Sequence, residues 1–131
     1  MSVALAPALA EDTRRAVVCH DGVGRNAIRA ALELADVRLE AETDLCGDAF
    51  GVIGAVTPHV VVLDLTVAGA SALAMVPRIH SAAPEAGVVA VAPPWMVHSV
   101  SRAARDAAVD LFASSDIDGL RAAVGGLAAA G

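Results

Sequence analysis

At 131 residues, with 56% apolar side chains and a net charge of −6, the chain is long enough for one domain with a single core and too apolar for disorder. All nine basic residues are Arg, none is Lys, and they are scattered, so the basic stripe that nucleic-acid binding requires is missing. The apolar content is mostly Ala and Val, with two Phe, one Trp and no Tyr, which predicts a core of small, close contacts.

Met1–Ala10 is apolar but lacks a basic leading segment and runs directly into Glu11-Asp12, so residues 1–13 read as a flexible tail rather than a signal peptide. No apolar run approaches the length that crosses a membrane. Ala16–Cys19 reads as a short first strand. In the next segment Ile28, Ala31, Leu32 and Ala35 recur at helical spacing. Val37–Ala41 alternates apolar residues with Arg38 and Glu40, the pattern of an edge strand with one wet face. Ala49, Val52, Ile53 and Val56 form a second helical stripe, closed by Thr57-Pro58.

Val60–Leu65 is apolar on both faces except for Asp64, as a central parallel strand would be. The spacing predicts a third helix over Ser71–Ser81, and Pro77 inside it removes an amide donor and predicts a kink or a late start. Val88–Ala92 reads as a fourth strand, Val97–Ala107 as a fourth helix and Leu111–Ala113 as a short fifth strand. Leu120, Ala123, Val124 and Leu127 mark a last helix, which Gly125-Gly126 weakens so that fraying is expected from Ala128. Five strand–helix repeats predict an α/β domain: a doubly wound parallel sheet with helices on both faces and right-handed crossovers.

Such sheets bind ligands beyond the carboxyl ends of their strands. Those ends carry His20 and Asp21, then Asp64, Ala92-Pro93 and Ser114-Ser115. Asp21 and Asp64 together could share a Mg²⁺ ion, which takes oxygen ligands and often only one or two protein carboxylates. An Asp beside such a metal can act as a nucleophile toward a phosphoryl group, because the cation offsets the charge repelling it. A charged residue inside an apolar run is costly without a purpose, which singles out Asp64. The plain alternative is a strand-end carboxylate that caps a neighbouring loop.

Two other features compete for a function. Gly22-Val23-Gly24-Arg25-Asn26-Ala27 fits G-x-G-x-x-A between a strand and a helix, and Glu40 and Glu42 lie where a dinucleotide-binding domain places its ribose acid. Against a nucleotide-binding enzyme domain, His20-Asp21 set an acid where pyrophosphate would approach, and no substrate domain is visible. The only Trp, Trp95, sits in Pro93-Pro94-Trp95-Met96 before the fourth helix. It either covers the end of the sheet as core or forms part of a contact surface.

From Arg15 to about Leu127 the chain resembles the receiver domain of two-component response regulators. The resemblance rests on Val17–Asp21, on Thr57-Pro58-His59-Val60-Val61-Val62-Leu63-Asp64-Leu65 with Gly69 shortly after, and on Ala108-Val109-Asp110-Leu111-Phe112. It implies a flavodoxin-like (βα)5 fold with strand order 2-1-3-4-5 over residues 14–128, acting in signal transduction without enzymatic activity. It places Asp64 at the phosphoacceptor position and Asp21 in the acidic metal-binding pair, with His20 standing at the other member.

The match is degenerate. Ala92 falls where receivers carry a Thr or Ser, Ser115 where they carry a Lys, and the turn after Asp64 reads Thr66-Val67-Ala68-Gly69 without the usual Pro. The expectation is therefore an atypical receiver, with weak Mg²⁺ binding at most and weak or no phosphorylation of Asp64. His20 reads most simply as a solvated or hydrogen-bonded side chain. The resemblance further implies a sensor histidine kinase or other signalling protein as partner, and a homodimer through the fourth helix, fifth strand and fifth helix, with Trp95, Arg102, Arg105, Asp110 and Arg121 in that face. In a longer chain a DNA-binding effector domain would follow. A conventional phosphorelay receiver, phosphorylated on Asp64, is the alternative.

Overall fold

In the computed structural model, residues 14–19, 25–44 and 48–130 are described. The elements are β1 (Arg15–Cys19), α1 (Arg25–Leu34), β2 (Arg38–Thr43), α2 (Ala49–Val56), β3 (Val60–Asp64), a 3-10 segment (Gly69–Met75), α3 (Val76–Ala82), β4 (Gly87–Ala92), α4 (Val97–Asp106), β5 (Asp110–Ala113) and α5 (Ile117–Ala130). All strands are parallel and ordered 2-1-3-4-5, the flavodoxin-like arrangement.

Alternation along each strand assigns side chains to two layers. Val17, Val61 and Leu63 meet Ala49 and Ile53 of α2, Leu73, Val76 and Ile79 of the 3-10 segment and α3, and Val100 and Ala104 of α4. Val18, Val60, Val62, Val89 and Val91 meet Ile28, Ala31 and Leu32 of α1 and Leu120, Val124 and Ala128 of α5 on the other face. The middle strand β3 is buried along its whole length, whereas β2 exposes Arg38 and Glu40, as an edge strand does.

Pro77 has the anticipated local effect. The turn begins as a 3-10 segment at Gly69 and becomes an α-helix only at Val76, with Pro77 in its first turn, where a missing amide costs nothing. Gly87 opens β4 beneath α5, where a Cβ would lie 2.7 Å from a Leu127 methyl. The last helix departs from expectation: it continues through Ala130 despite Gly125-Gly126. Burial of Ala128 against the sheet supplies packing energy that local propensity does not.

Three non-glycine residues after helices take left-handed backbone conformations, Asp36, Thr57 and Ala108. Ala108, at φ 58°, carries a Cβ where glycine is favoured. Ala108→Gly is expected to stabilise the domain by roughly 0.5–1 kcal/mol, the relief of the left-handed strain less glycine's extra chain entropy. Urea unfolding checks this, and an unchanged or lowered midpoint would refute it.

Candidate functional site

The C-terminal rim of the sheet is assembled from strand register. Leu63 pairs with Cys19, Cys19 with Thr43, Asp64 with Val91, and Ala92 with Ala113. Asp64 therefore ends the central strand with Ala92 one residue beyond its neighbour on β4. Asp64 is fully buried, the only buried polar or charged residue among those described. Its Oδ1 accepts the Thr66 amide at 3.0 Å and the Thr66 hydroxyl at 2.5 Å. These two bonds close the turn leaving β3, so the carboxylate is held by the segment that follows it.

Ala92 is fully buried and presents only a methyl group. Its carbonyl accepts the Ser114 amide at 2.8 Å. The backbone beside Ala92 is thus that of Ser114, which is half-buried, while Ser115 stands one residue further on and is exposed. The resemblance puts Ser115 at the Lys position, whereas the residue whose amide meets the Ala92 carbonyl, next after the paired Ala113, is Ser114. Thr66, in the turn that lacks the usual Pro, thus holds the Asp64 carboxylate.

His20, Asp21, Gly22 and Gly24 lie outside the described residues. The Asp21–Asp64 metal pair therefore has one described member. Among the described residues no three His, Cys, Asp or Glu side chains converge on a point, and Oδ1 of Asp64 already accepts two hydrogen bonds. Cys19, at the end of β1, is a buried thiol whose pKa is pushed up to about 11, first by burial and then by the Asp44 carboxylate, so it stays protonated and unreactive.

The two glutamates considered for a ribose are engaged elsewhere. Glu42 lies 3.0 Å from Arg25 and also pairs with Arg29, both of α1, and Glu40 pairs with Arg38 at 2.7 Å. Trp95 is 77% exposed, so it is not core. Arg102, Arg105, Asp110 and Arg121 are exposed on α4, β5 and α5.

At the opposite end of the sheet, the His59 amide donates to the Arg15 carbonyl, and the Arg15 amide donates to His59 Nδ1 at 3.0 Å. This reciprocal pair ties β1 to β3 and requires an unprotonated Nδ1. Burial first, then the Arg15 and Arg14 guanidiniums, lower the His59 pKa from its ordinary 6.5. A depressed histidine pKa means that protons bind the unfolded chain better. The stabilisation is therefore complete above about pH 6.5 and declines as pH falls toward the lowered folded value. His59→Asn keeps an acceptor near the Nδ1 position without titrating. The wild type is expected to lose stability relative to it from about pH 7 to about pH 5.5. Parallel stability curves would remove His59 from the account.

No protein-family model matches the chain, and no characterised protein matches it by sequence. Solved structures do match. A response regulator from Thermotoga maritima superposes with a TM-score of 0.71 at 19% identity, covering 89% of this chain and 98% of that one. The receiver domain of the putative response regulator NarL from Mycobacterium tuberculosis gives 0.61 at 23% identity, covering 89% and 97%. A DNA-binding response regulator of the LuxR family from Staphylococcus aureus gives 0.63 at 20%, covering 88% and 98%. At these identities the likeness establishes the fold.

Proposed function

Starting from a chain folded as response-regulator receivers are folded, we propose that it is an atypical receiver: a regulatory signalling domain that works through protein contacts, not catalysis, with weak or no phosphorylation of Asp64. The observation that carries this reading is Ala92. It is a buried methyl at the end of β4, one residue past the register partner of Asp64, where the resemblance implies a phosphoryl-sensing hydroxyl. The absence of Lys from the whole chain removes the second contact that a phosphorylated Asp would use. Charge-assisted contacts of this kind are worth roughly 1.5–3 kcal/mol each, so their loss leaves an acyl phosphate poorly held.

Mg²⁺, if it binds, is held weakly by Asp64 and Asp21. The setting is cytoplasmic, and among the described residues no helix is long and apolar enough to cross a membrane. The partner is a sensor histidine kinase or another signalling protein. The domain pairs with a second copy through the α4–β5–α5 face, where Trp95 is exposed and Arg102, Arg105, Asp110 and Arg121 are exposed and take part in no ion pair among the described residues. In a longer chain, a DNA-binding effector domain would carry the output. Engagement of Glu40 and Glu42 by arginines counts against the nucleotide-binding alternative. The position of Asp64 at the rim of a receiver fold supports the conventional phosphorelay receiver as the second reading.

Incubation with acetyl phosphate and Mg²⁺ followed by intact-mass measurement tests the choice. No stoichiometric adduct is expected, and one that disappears in Asp64→Asn would establish the conventional receiver instead. Sedimentation at tens of micromolar, a range in which weak dimers populate, is expected to show a dimer. A monomer there would remove the α4–β5–α5 face from the proposal.

A further inference from the structure

His59 stands where β3 begins, at the end of the sheet opposite Asp64. Its Nδ1 accepts the Arg15 amide at 3.0 Å, so on a neutral ring the one proton must sit on Nε2. The atom 3.5 Å from Nε2 is Nη1 of Arg14, which can only donate. Two donor nitrogens therefore stand side by side, and one of them belongs to a full positive charge. Such a pair fits a negatively charged acceptor rather than each other.

A second cation lies against the same ring. Arg15 Nη2 donates to the Thr57 carbonyl at 2.9 Å, which holds that guanidinium on the turn leading into His59. Burial, then Arg15, then Arg14 lower the His59 pKa, so both charges are felt at the imidazole. Arg14 and Arg15 are half-buried, and neither pairs with a carboxylate among the described residues. A cavity of about 230 Å³ opens here, lined by Arg15, Thr57, Pro58, His59 and Glu85. That is below the roughly 300–1,000 Å³ of a site for a drug-sized ligand and suits a small ion. Glu85, which is exposed, is the one acid in this lining, and its charge works against an anion.

We propose that the Nε2–H of His59 and the guanidiniums of Arg14 and Arg15 form a binding site for a phosphate-class oxyanion, separate from the Asp64 pocket. Two guanidiniums match a dianion better than a monocarboxylate, and the fork of an Arg side chain suits phosphate oxygens. The neutral ring donates through Nε2 while Nδ1 keeps the Arg15 amide, so binding leaves the tie between β1 and β3 intact. The site goes beyond the reading of the domain as an atypical receiver and does not depend on it.

The full chain is titrated with inorganic phosphate at about pH 8, where the imidazole is neutral and phosphate is mostly a dianion, with ionic strength held constant by sodium chloride. Nitrogen-15 NMR of the histidine rings reads the site, and His59→Asn assigns the His59 signals. A saturable shift of the Nε2 signal is expected at millimolar phosphate, with sulfate acting alike and acetate binding about tenfold more weakly. Arg14→Gln is expected to weaken phosphate about tenfold, the loss of one charge-assisted contact, and Glu85→Gln to strengthen it about threefold. Arg102→Gln removes the same charge from α4 and is expected to leave binding unchanged. Glycerol phosphate forms a second arm: tighter binding than inorganic phosphate would assign the cavity to the body of a phosphate ester, and weaker binding would assign the site to the free ion. No saturable shift, an equal response to acetate, no more weakening by Arg14→Gln than by Arg102→Gln, or no gain in Glu85→Gln would overturn the proposal. A response that appears only in the variant Glu11→Gln with Asp12→Asn would overturn it too, because the chain's own acids would then occupy the site.

Discussion

Rebuilding the pocket is expected to convert the domain into a phosphorylatable one. In the triple variant His20→Asp, Ala92→Thr, Ser114→Lys, acetyl phosphate with Mg²⁺ should produce an Asp64 adduct that the wild type does not accumulate. Thr at 92 returns a hydroxyl beside the end of β3, and Lys at 114 returns an ammonium on the residue whose amide is hydrogen-bonded to the residue 92 carbonyl. Two charge-assisted contacts at the lower end of their range amount to about 3 kcal/mol, or about a hundredfold in adduct stability. Placing Lys at 115 instead should recover little, because that residue is exposed and one step beyond the contact. The measurement is intact mass over time, with Asp64→Asn added to each variant as the control. A triple variant as inert as the wild type would mean that something other than the missing hydroxyl and ammonium keeps Asp64 silent. The Thr66 bonds to its Oδ1 would be the next suspect, testable with Thr66→Ala.

The largest stability effect is expected at Ile53. It is fully buried on α2, in the core layer it shares with Val61 and Leu63 of the sheet and Ile79 of α3. Ile53→Ala should cost about 2–5 kcal/mol, the transfer term plus the cavity. For a domain whose total stability is about 5–15 kcal/mol, this is a large fraction. The thermal midpoint should fall by roughly 10 °C. Leu34→Ala, at a site 62% exposed, removes a similar side chain and should change stability by only about 0.5 kcal/mol. Similar losses at both positions would mean that the α2 layer is not packed as described.

These two outcomes draw on different kinds of information. The core around Ile53 was legible in the chain, because helical spacing of Ala49, Val52, Ile53 and Val56 and the two-faced apolar run of β3 are local patterns that survive whatever the rest of the molecule does. The same holds for the alternation of β2 and for the delayed helix at Pro77. Right-handed crossovers then leave few ways to wind five such units, which is why the parallel sheet could be anticipated and its order of 2-1-3-4-5 agrees with the family resemblance.

The position of Asp64 as an acid at the end of a buried strand was likewise written in the residues. What surrounds it was not. That Ser114 rather than Ser115 lies against Ala92 depends on the pairing of β4 with β5, and register is a property of two distant segments. That Thr66 folds back onto Asp64, that Glu42 is taken by Arg25 and Arg29, and that Trp95 stands in solvent are equally facts of three-dimensional placement. Periodicity along a chain reports which face of an element is apolar. Which polar atoms meet at the rim, and which apolar ones are left uncovered there, is decided only when the strands lie side by side.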